Sequence, residues 1–477
     1  MTWHRQIAFR PEQREETRSA ALIAHTMQAH SAPRVLWGRL CAVLSFFHGR
    51  DASYTVAQYA DLVSQVWDDT GSPSNNLTAL ADEERMDAFV AGIGDLPPPE
   101  NPIWTIWSAK QLLRRDWRLF GYPFRVDEYV WSQTTGQSVG SPDDARTLPS
   151  AIDLAAVLGS LEAYRVADEI GFTEDLNYVQ QVDQVRNELS AVPVEYWAAE
   201  QHWNWLHVYR RLLQEKNASY PAWMNTTAWK RHTLQTELGA WTHLLYKEDS
   251  GVKAASSVDE GSAPVEGSTG EAPEIGALEA SALEASAWGY VEPQPEVYAR
   301  VAALIRLAID GLEKRSMLPA AERQMLLKLE EWLIFLQDAA RRELIVPALS
   351  EDEYRRLGQW GGFVDQVTVA ALDDPPSAEG QVLRAGYSEV IAVPLAAAEG
   401  EQLVEATGPV DEIYVAVERG RQVFLARGGV YAHYEFKWPT VDPLAEERLA
   451  DARWRELLDT DQGPARPAWV VGVVVEE

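Results

Sequence analysis

The chain has 477 residues, 46% of them hydrophobic and 24% charged, and a formal net charge of −30. That length supports roughly two to four domains around a large core. So acidic a balance argues against nucleic acid or an anionic membrane surface as partner, because either requires concentrated Lys and Arg. One cysteine, Cys41, excludes an intrachain disulfide and any Cys₂ or Cys₄ zinc site. No metal or cofactor is expected. The 19 tryptophans are read mainly as anchors of helix packing, with a few as platforms for sugars. The opening MTWHRQIAFRPEQREE has no apolar core of a signal peptide. The longest apolar runs, Leu40–Phe47 and Trp469–Val475, fall short of a bilayer span. As written, the chain is expected to be cytoplasmic.

In chain order, Arg5, Arg10, Arg14, Arg18, Arg34, Arg39 and Arg50 give the first stretch a basic bias, expected on a solvated helix face. Helices are predicted near 11–30, 34–48, 55–68, 78–92 and 104–117, divided by breakers such as Thr70-Gly-Ser-Pro and Leu96-Pro-Pro-Pro. Others are predicted near 150–170, 174–190 and 195–215. Within Tyr220–Tyr246, Leu234, Leu238, Trp241 and Leu245 fall on one apolar helix face. Asp249–Ala287 is rich in Ala, Ser, Gly and Glu, lacks aromatics and ends in a doubled ALEAS, so it is read as a disordered acidic insertion. A helical hairpin follows, with Val297, Val301, Leu304, Ile305, Ala308 and Leu312 on one arm. Met325, Leu329, Trp332 and Leu336 mark the other, opened by Pro319.

Beyond about residue 360 the pattern turns to period two. Strands are predicted at Ile413–Val417, Val423–Ala426 and Val430–Trp438, with the closing WVVGVVV as an added strand. The expected fold is mainly α, a multi-helix body with a small C-terminal antiparallel β-region. The corresponding division is 1–248 helical, 249–287 insertion, 288–358 hairpin and 359–477 β-region with a terminal helix.

Three patterns bear on chemistry. Gly136-Gln-Ser138-Val-Gly140 matches a nucleophile elbow, with Asp153 and His202 or His207 in permissible order, but Ser141-Pro142 behind it suits a loop rather than the helix an elbow needs. Glu195–Tyr209 gathers Trp197, His202, Trp203, Trp205 and His207 on one helix; core packing outweighs a cleft wall there. In the last strand Tyr431, His433 and Glu435 share a face, since side chains alternate. His433 and Glu435 are a proton-transfer pair, and Tyr431, His433 and Glu435 are the catalytic candidates. The ordinary alternative is a solvated sheet face.

Several blocks resemble the bacterial family called domain of unknown function 3160. They include Leu36-Trp-Gly-Arg39, Leu119-Phe-Gly-Tyr-Pro-Phe124, Leu148-Pro-Ser-Ala-Ile-Asp153, Tyr220-Pro-Ala-Trp223, Trp229–Trp241, Gly289-Tyr-Val-Glu-Pro293, Ile413-Tyr-Val415 and Gly429-Val-Tyr431 with Tyr434-Glu-Phe436. The resemblance implies an envelope protein outside the inner membrane, in conflict with the signal-less start. The chain departs from the family where Trp241 runs directly into Thr242-His243, shortening a polar stretch, and where Val390–Ala397 lacks titratable side chains. His243, Trp241, Glu292, His202 and Trp203 are the binding candidates. Two functions are expected in turn: a non-catalytic envelope-associated binding or scaffold protein, or a hydrolase acting on peptide or polysaccharide. Cell-wall sugars and peptides are the candidate ligands.

Overall fold

The computed structural model describes residues 9–49, 53–67, 80–97, 117–121, 125–141, 143–249, 289–345, 349–370, 391–398, 401–419, 422–439, 449, 451–460 and 462–471. The predicted helix near 104–117 lies almost wholly outside these residues, as does the insertion after Asp249.

Four helices open the chain: α1 (Arg14–Ala29), α2 (Ser31–His48), α3 (Val56–Trp67) and α4 (Glu83–Asp95). Asp82 caps α4 by accepting from the Arg85 amide. Tyr59, Trp67, Phe89 and Trp117 form an aromatic core between them, and Phe9 and Trp117 exchange both backbone hydrogen bonds at 2.9 Å. The expected solvated basic face is not what α1 presents. Arg14 reaches Asp87 and Glu83, and Arg18 reaches Glu83, so these arginines tie α1 to the acidic start of α4.

A second core is built from α5 (Val126–Thr134), α6 (Ala151–Leu158), α7 (Leu161–Glu169), α8 (Tyr178–Ser190), the short α9 (Val194–Trp197), α10 (Gln201–Leu212) and α11 (Thr227–Asp249). A two-residue hairpin of β1 (Gly140–Ser141) and β2 (Asp144–Ala145) follows α5. The single helix predicted over 150–170 is two: Gly159 turns left-handed at φ 111° and ends α6, then Ser160 caps α7. All eight residues of α6 are buried, so it is the axle of this core. On α11, Leu234, Leu238 and Trp241 are fully buried and Leu245 nearly so, as their spacing predicts.

Next come the antiparallel helices α12 (Pro295–Lys314) and α13 (Ala320–Glu343), which rest on α10 through Val208, Ala302, Ile305 and Leu333. They lead into α14 (Glu351–Gly358) and α15 (Trp360–Ala370), so the residues after 359 begin with helix rather than strand. Ser350 and Glu353 form a reciprocal capping box at α14.

The strands make two antiparallel sheets instead of one. In the first, β4 (Glu401–Thr407) pairs with both β3 (Ala392–Ala398) and β7 (His433–Pro439); β3 and β4 were not anticipated from the sequence. In the second, β5 (Asp411–Arg419) pairs with β6 (Gln422–Val430). Val404, Ala406, Tyr434 and Phe436 on one face of the first sheet pack on α16 (Asp451–Asp459), centred on Trp454. Trp454 Nε1 donates to the Thr407 carbonyl at 2.9 Å. The chain's last described element, α17 (Ala468–Val471), is a helical turn where a strand was predicted. The fold is mainly α with small antiparallel sheets near its C-terminal end. Among the described residues no helix is long and apolar enough to cross a membrane.

Candidate functional site

The other face of the first sheet lies against α6 and α11, and it carries charge. His433 and Glu435 project from alternate positions of β7, and the register sets Glu405 directly across from Glu435. The expectation of a solvated face is therefore corrected: His433 is 3% exposed, Glu405 0%, and Glu435 is half-buried with its carboxyl turned inward. Sheet alternation gave the shared face correctly; only the helices folded beneath it decided that the face is closed.

Glu435 meets the N-terminus of α6. It accepts from the Ser150 hydroxyl at 2.8 and 2.9 Å and from the Ala151 amide at 2.6 Å. Burial nevertheless pushes its pKa well above the ordinary carboxyl value, helped by Glu405 opposite. Glu405 is pushed up to about 8, first by burial and then by the charges of Glu237 and Asp153. Glu237, from α11, is also fully buried and raised to about 8 by burial alone; among the described residues neither of its oxygens has a hydrogen-bond partner. His433 Nε2 lies 2.8 Å from Glu405 Oε2, yet burial lowers the imidazole to about 4. With the base pushed down and the acid pushed up, this contact is a neutral hydrogen bond rather than an ion pair.

Beneath Glu435 sits a second layer. Asp153, fully buried, accepts from Arg146 at 2.7 Å, Tyr178 at 2.8 Å, Thr134 at 3.1 Å and its own Ser150 amide at 3.0 Å. The Arg146 guanidinium stacks over Phe172 at 4.1 Å. Arg146 is the cation of this region and its field also reaches Glu435. Among the described residues no three His, Cys, Asp or Glu side chains are arranged to hold a metal ion.

Tyr431, the third catalytic candidate, precedes β7 and does not sit in the carboxyl cluster. Its ring lies over Gly239 of α11, where a Cβ would come within 2.5 Å of it, and 5.3 Å from the His243 ring. Gly239→Ala is therefore expected to overpack this contact and cost about 1–3 kcal/mol, read as a lowered unfolding midpoint in urea. A change under roughly 0.5 kcal/mol would show that the contact is loose.

The binding candidates fall in different places. Trp241 and His202, distant in sequence, converge on the fully buried Asp127. Trp241 Nε1 donates to it at 3.4 Å, His202 Nε2 lies 3.7 Å away, and Arg125 donates at 2.6 and 3.1 Å. Burial alone would raise Asp127, but Arg125 and His202 hold it far below the usual carboxylate range. Trp203 is buried edge-on against Trp197, which makes it a packing residue. The elbow pattern is a 3₁₀ turn followed by β1, with Ser138 turned onto the Ser132 carbonyl, so no nucleophile is presented.

Glu292 lies elsewhere, half-buried beside Gln294 and raised first by burial. The Lys216 ammonium is near enough to oppose that rise. Lys216 itself lines a small cleft of about 20 Å³ between the end of α10, the start of α11 and the N-terminus of α7.

Sequence reasoning missed Glu237, Glu405, Ser150, Arg146 and Tyr178. The Ser150…Asp153 spacing is a legible capping signature, and both its members proved to be in the network. Glu237 carries no local signal, because it interrupts an otherwise helical pattern as any surface glutamate does.

A mainly helical body closed by a small sheet over a buried carboxyl cluster defines the class of protein. The chain belongs to the family described as Protein of unknown function (DUF3160), which matches residues 1–470. No curated protein and no solved structure matches it.

Proposed function

We propose that the chain is a non-catalytic binding or scaffold protein associated with the cell envelope. One observation carries the reading: the groups best suited to proton transfer are used to fasten the sheet to the helical body. Glu435 caps α6, and His433 is sealed against Glu405. A catalytic acid–base pair must come within hydrogen-bond reach of a substrate proton, whereas His433 is 3% exposed and Glu405 0%. The envelope setting follows from the family resemblance.

A hydrolase acting on peptide or polysaccharide, with His433 and Glu435 as acid–base partners, is the second reading. It is favoured by Glu405 and Glu237, whose carboxyls hold protons near neutrality as a general acid must. Incubation with cell-wall sugars and peptides separates the two. The proposal expects saturable binding without turnover. Turnover that His433→Ala abolishes, in a variant whose circular dichroism matches the parent, overturns it in favour of the hydrolase.

A further inference from the structure

We infer that Arg210, Arg211 and Arg300 form a surface ledge that binds the doubly charged phosphate group of a phosphate ester. A guanidinium withdrawn from water is ordinarily met by an acid. Arg125 has Asp127, Arg146 has Asp153, and Arg231 has Glu162 and Glu169. The junction of α10 with α12, packed through Val208, Ala302 and Ile305, differs. Three arginines gather there. Arg211 reaches Glu296 across the junction, and Arg300 donates back to the His207 carbonyl. Arg210 is near enough for its charge to bear on both Arg300 and His207.

The balance of charge sets the sign of the ligand. Glu296 pairs with Arg211, and its field also reaches Arg300. One carboxylate thus faces three guanidiniums, an excess of two positive charges. His207 adds none near neutrality, since burial, helped by Arg300 and Arg210, lowers it to about 4. Lys216, beyond Arg211, is offset by Glu292 and Glu215. Among the described residues neither Arg210 nor Arg300 has a carboxylate in ion-pair contact. Burial lowers both, and the charges of Arg211 and Arg210 lower Arg300 further, so a bound anion would relieve the cluster. A phosphate ester carries nearly two negative charges at neutral pH and matches the excess; a carboxylate carries one.

The arginines are also fixed without using up their donors. The Arg210 guanidinium lies 4.8 Å over the Trp197 ring, and the buried Trp197 is in turn stacked on His207 at 5.9 Å. Stacking holds a guanidinium by its face and leaves the in-plane N–H groups to meet a ligand. Arg300 gives one N–H to the His207 carbonyl, and among the described residues its others have no acceptor. Two forks held in this way suit the paired oxygens of a phosphate. The ledge is open: Arg210 and Arg300 are half-buried and the Glu296 side chain is 61% exposed, so the body of an ester can extend into solvent.

The test is calorimetric titration of the full chain with glycerol phosphate, inorganic phosphate and acetate at pH 7 and low ionic strength. Glycerol phosphate is expected to bind at least as tightly as inorganic phosphate, and acetate about tenfold or more weakly. Arg210→Met and Arg300→Met should each weaken glycerol phosphate binding about tenfold or more, since each removes a charge-assisted fork. Glu296→Gln should instead tighten it about twofold or more, because the competing carboxylate is gone. No binding of glycerol phosphate, equal binding of acetate, an unchanged affinity in Arg210→Met or weaker binding in Glu296→Gln overturns the site. Binding of inorganic phosphate alone overturns the ester. Should Arg300→Met fail to fold, Arg210→Met decides, because among the described residues Arg210 holds no backbone carbonyl. The ledge is independent of the carboxyl cluster: turnover that depends on His433 would defeat the non-catalytic reading and leave phosphate binding here intact.

Discussion

Asp153→Ala is expected to destabilise the protein by about 3–5 kcal/mol, the cost of stripping one partner from a buried ion pair. Asp153 is fully buried and gathers Arg146, Tyr178, Thr134 and the Ser150 amide. Removing it leaves the Arg146 guanidinium, 7% exposed, without its nearest anion, and the buried Tyr178 hydroxyl without its acceptor. It also removes one half of the capping box that starts α6. Because the Ser150 hydroxyl and Ala151 amide that open α6 also hold Glu435, the loss should extend to the docking of the sheet. Urea unfolding at pH 7 measures it. A double-mutant cycle with Arg146→Met should recover part of the cost, since the stranded charge is then gone. A loss below about 1 kcal/mol for Asp153→Ala would mean that water or rearrangement replaces the carboxylate.

The second large effect is a loss of stability on the alkaline side of neutrality. Glu237 and Glu405 rise from 4.5 unfolded to about 8 folded, so the folded state holds protons that the unfolded state releases. Their contribution is fully present below about pH 4.5 and is lost as pH rises through 8. His433, His232 and His207 act oppositely: burial lowers each from 6.5 to about 4, so stability falls as pH drops through that window. Between pH 4.5 and 6.5 the two sets oppose each other. Above 6.5 only the carboxyl term operates. Thermal melts should therefore show a plateau near pH 4.5–6.5 and a decline toward pH 8. Glu237→Gln should flatten that decline, raising the midpoint at pH 8–9 by several degrees while changing little at pH 5, because a neutral amide replaces a carboxyl that must otherwise ionise in the core. A decline of the same slope in Glu237→Gln would remove Glu237 as its source.

Much of the helical body was legible. The apolar stripe Leu234–Leu245 has the period of a helix, and its members are buried. The α12–α13 hairpin and the strands β5 and β6 were equally readable from periodicity and turn residues. The misses have physical causes. Gly159 and Ser160 split a long apolar pattern because a C-cap glycine next to an N-cap serine ends one helix and begins another. The β3 strand, Ala392–Ala398, lacks the alternation that marks a half-buried strand, and both faces of its sheet prove to be packed.

The candidate site was legible only in part. Alternation alone placed His433 and Glu435 on one face, a property of the extended backbone that needs no tertiary context. It carried no information on what that face meets, because Glu435 and Ser150 are 285 residues apart and Glu405 enters through a separate strand. Whether a carboxyl is a solvated charge or a proton-holding acid depends on the water removed from it, and that is decided by the helices packed over the sheet. The sequence by itself determined the mainly helical class, the family blocks and the local periodicities, since these follow from short-range sterics and side-chain spacing. Only the tertiary structure decided that Glu237, Glu405 and Glu435 share one buried space and that Trp241 and His202 meet at Asp127. Burial and charge pairing are properties of neighbours that the chain brings together from far apart.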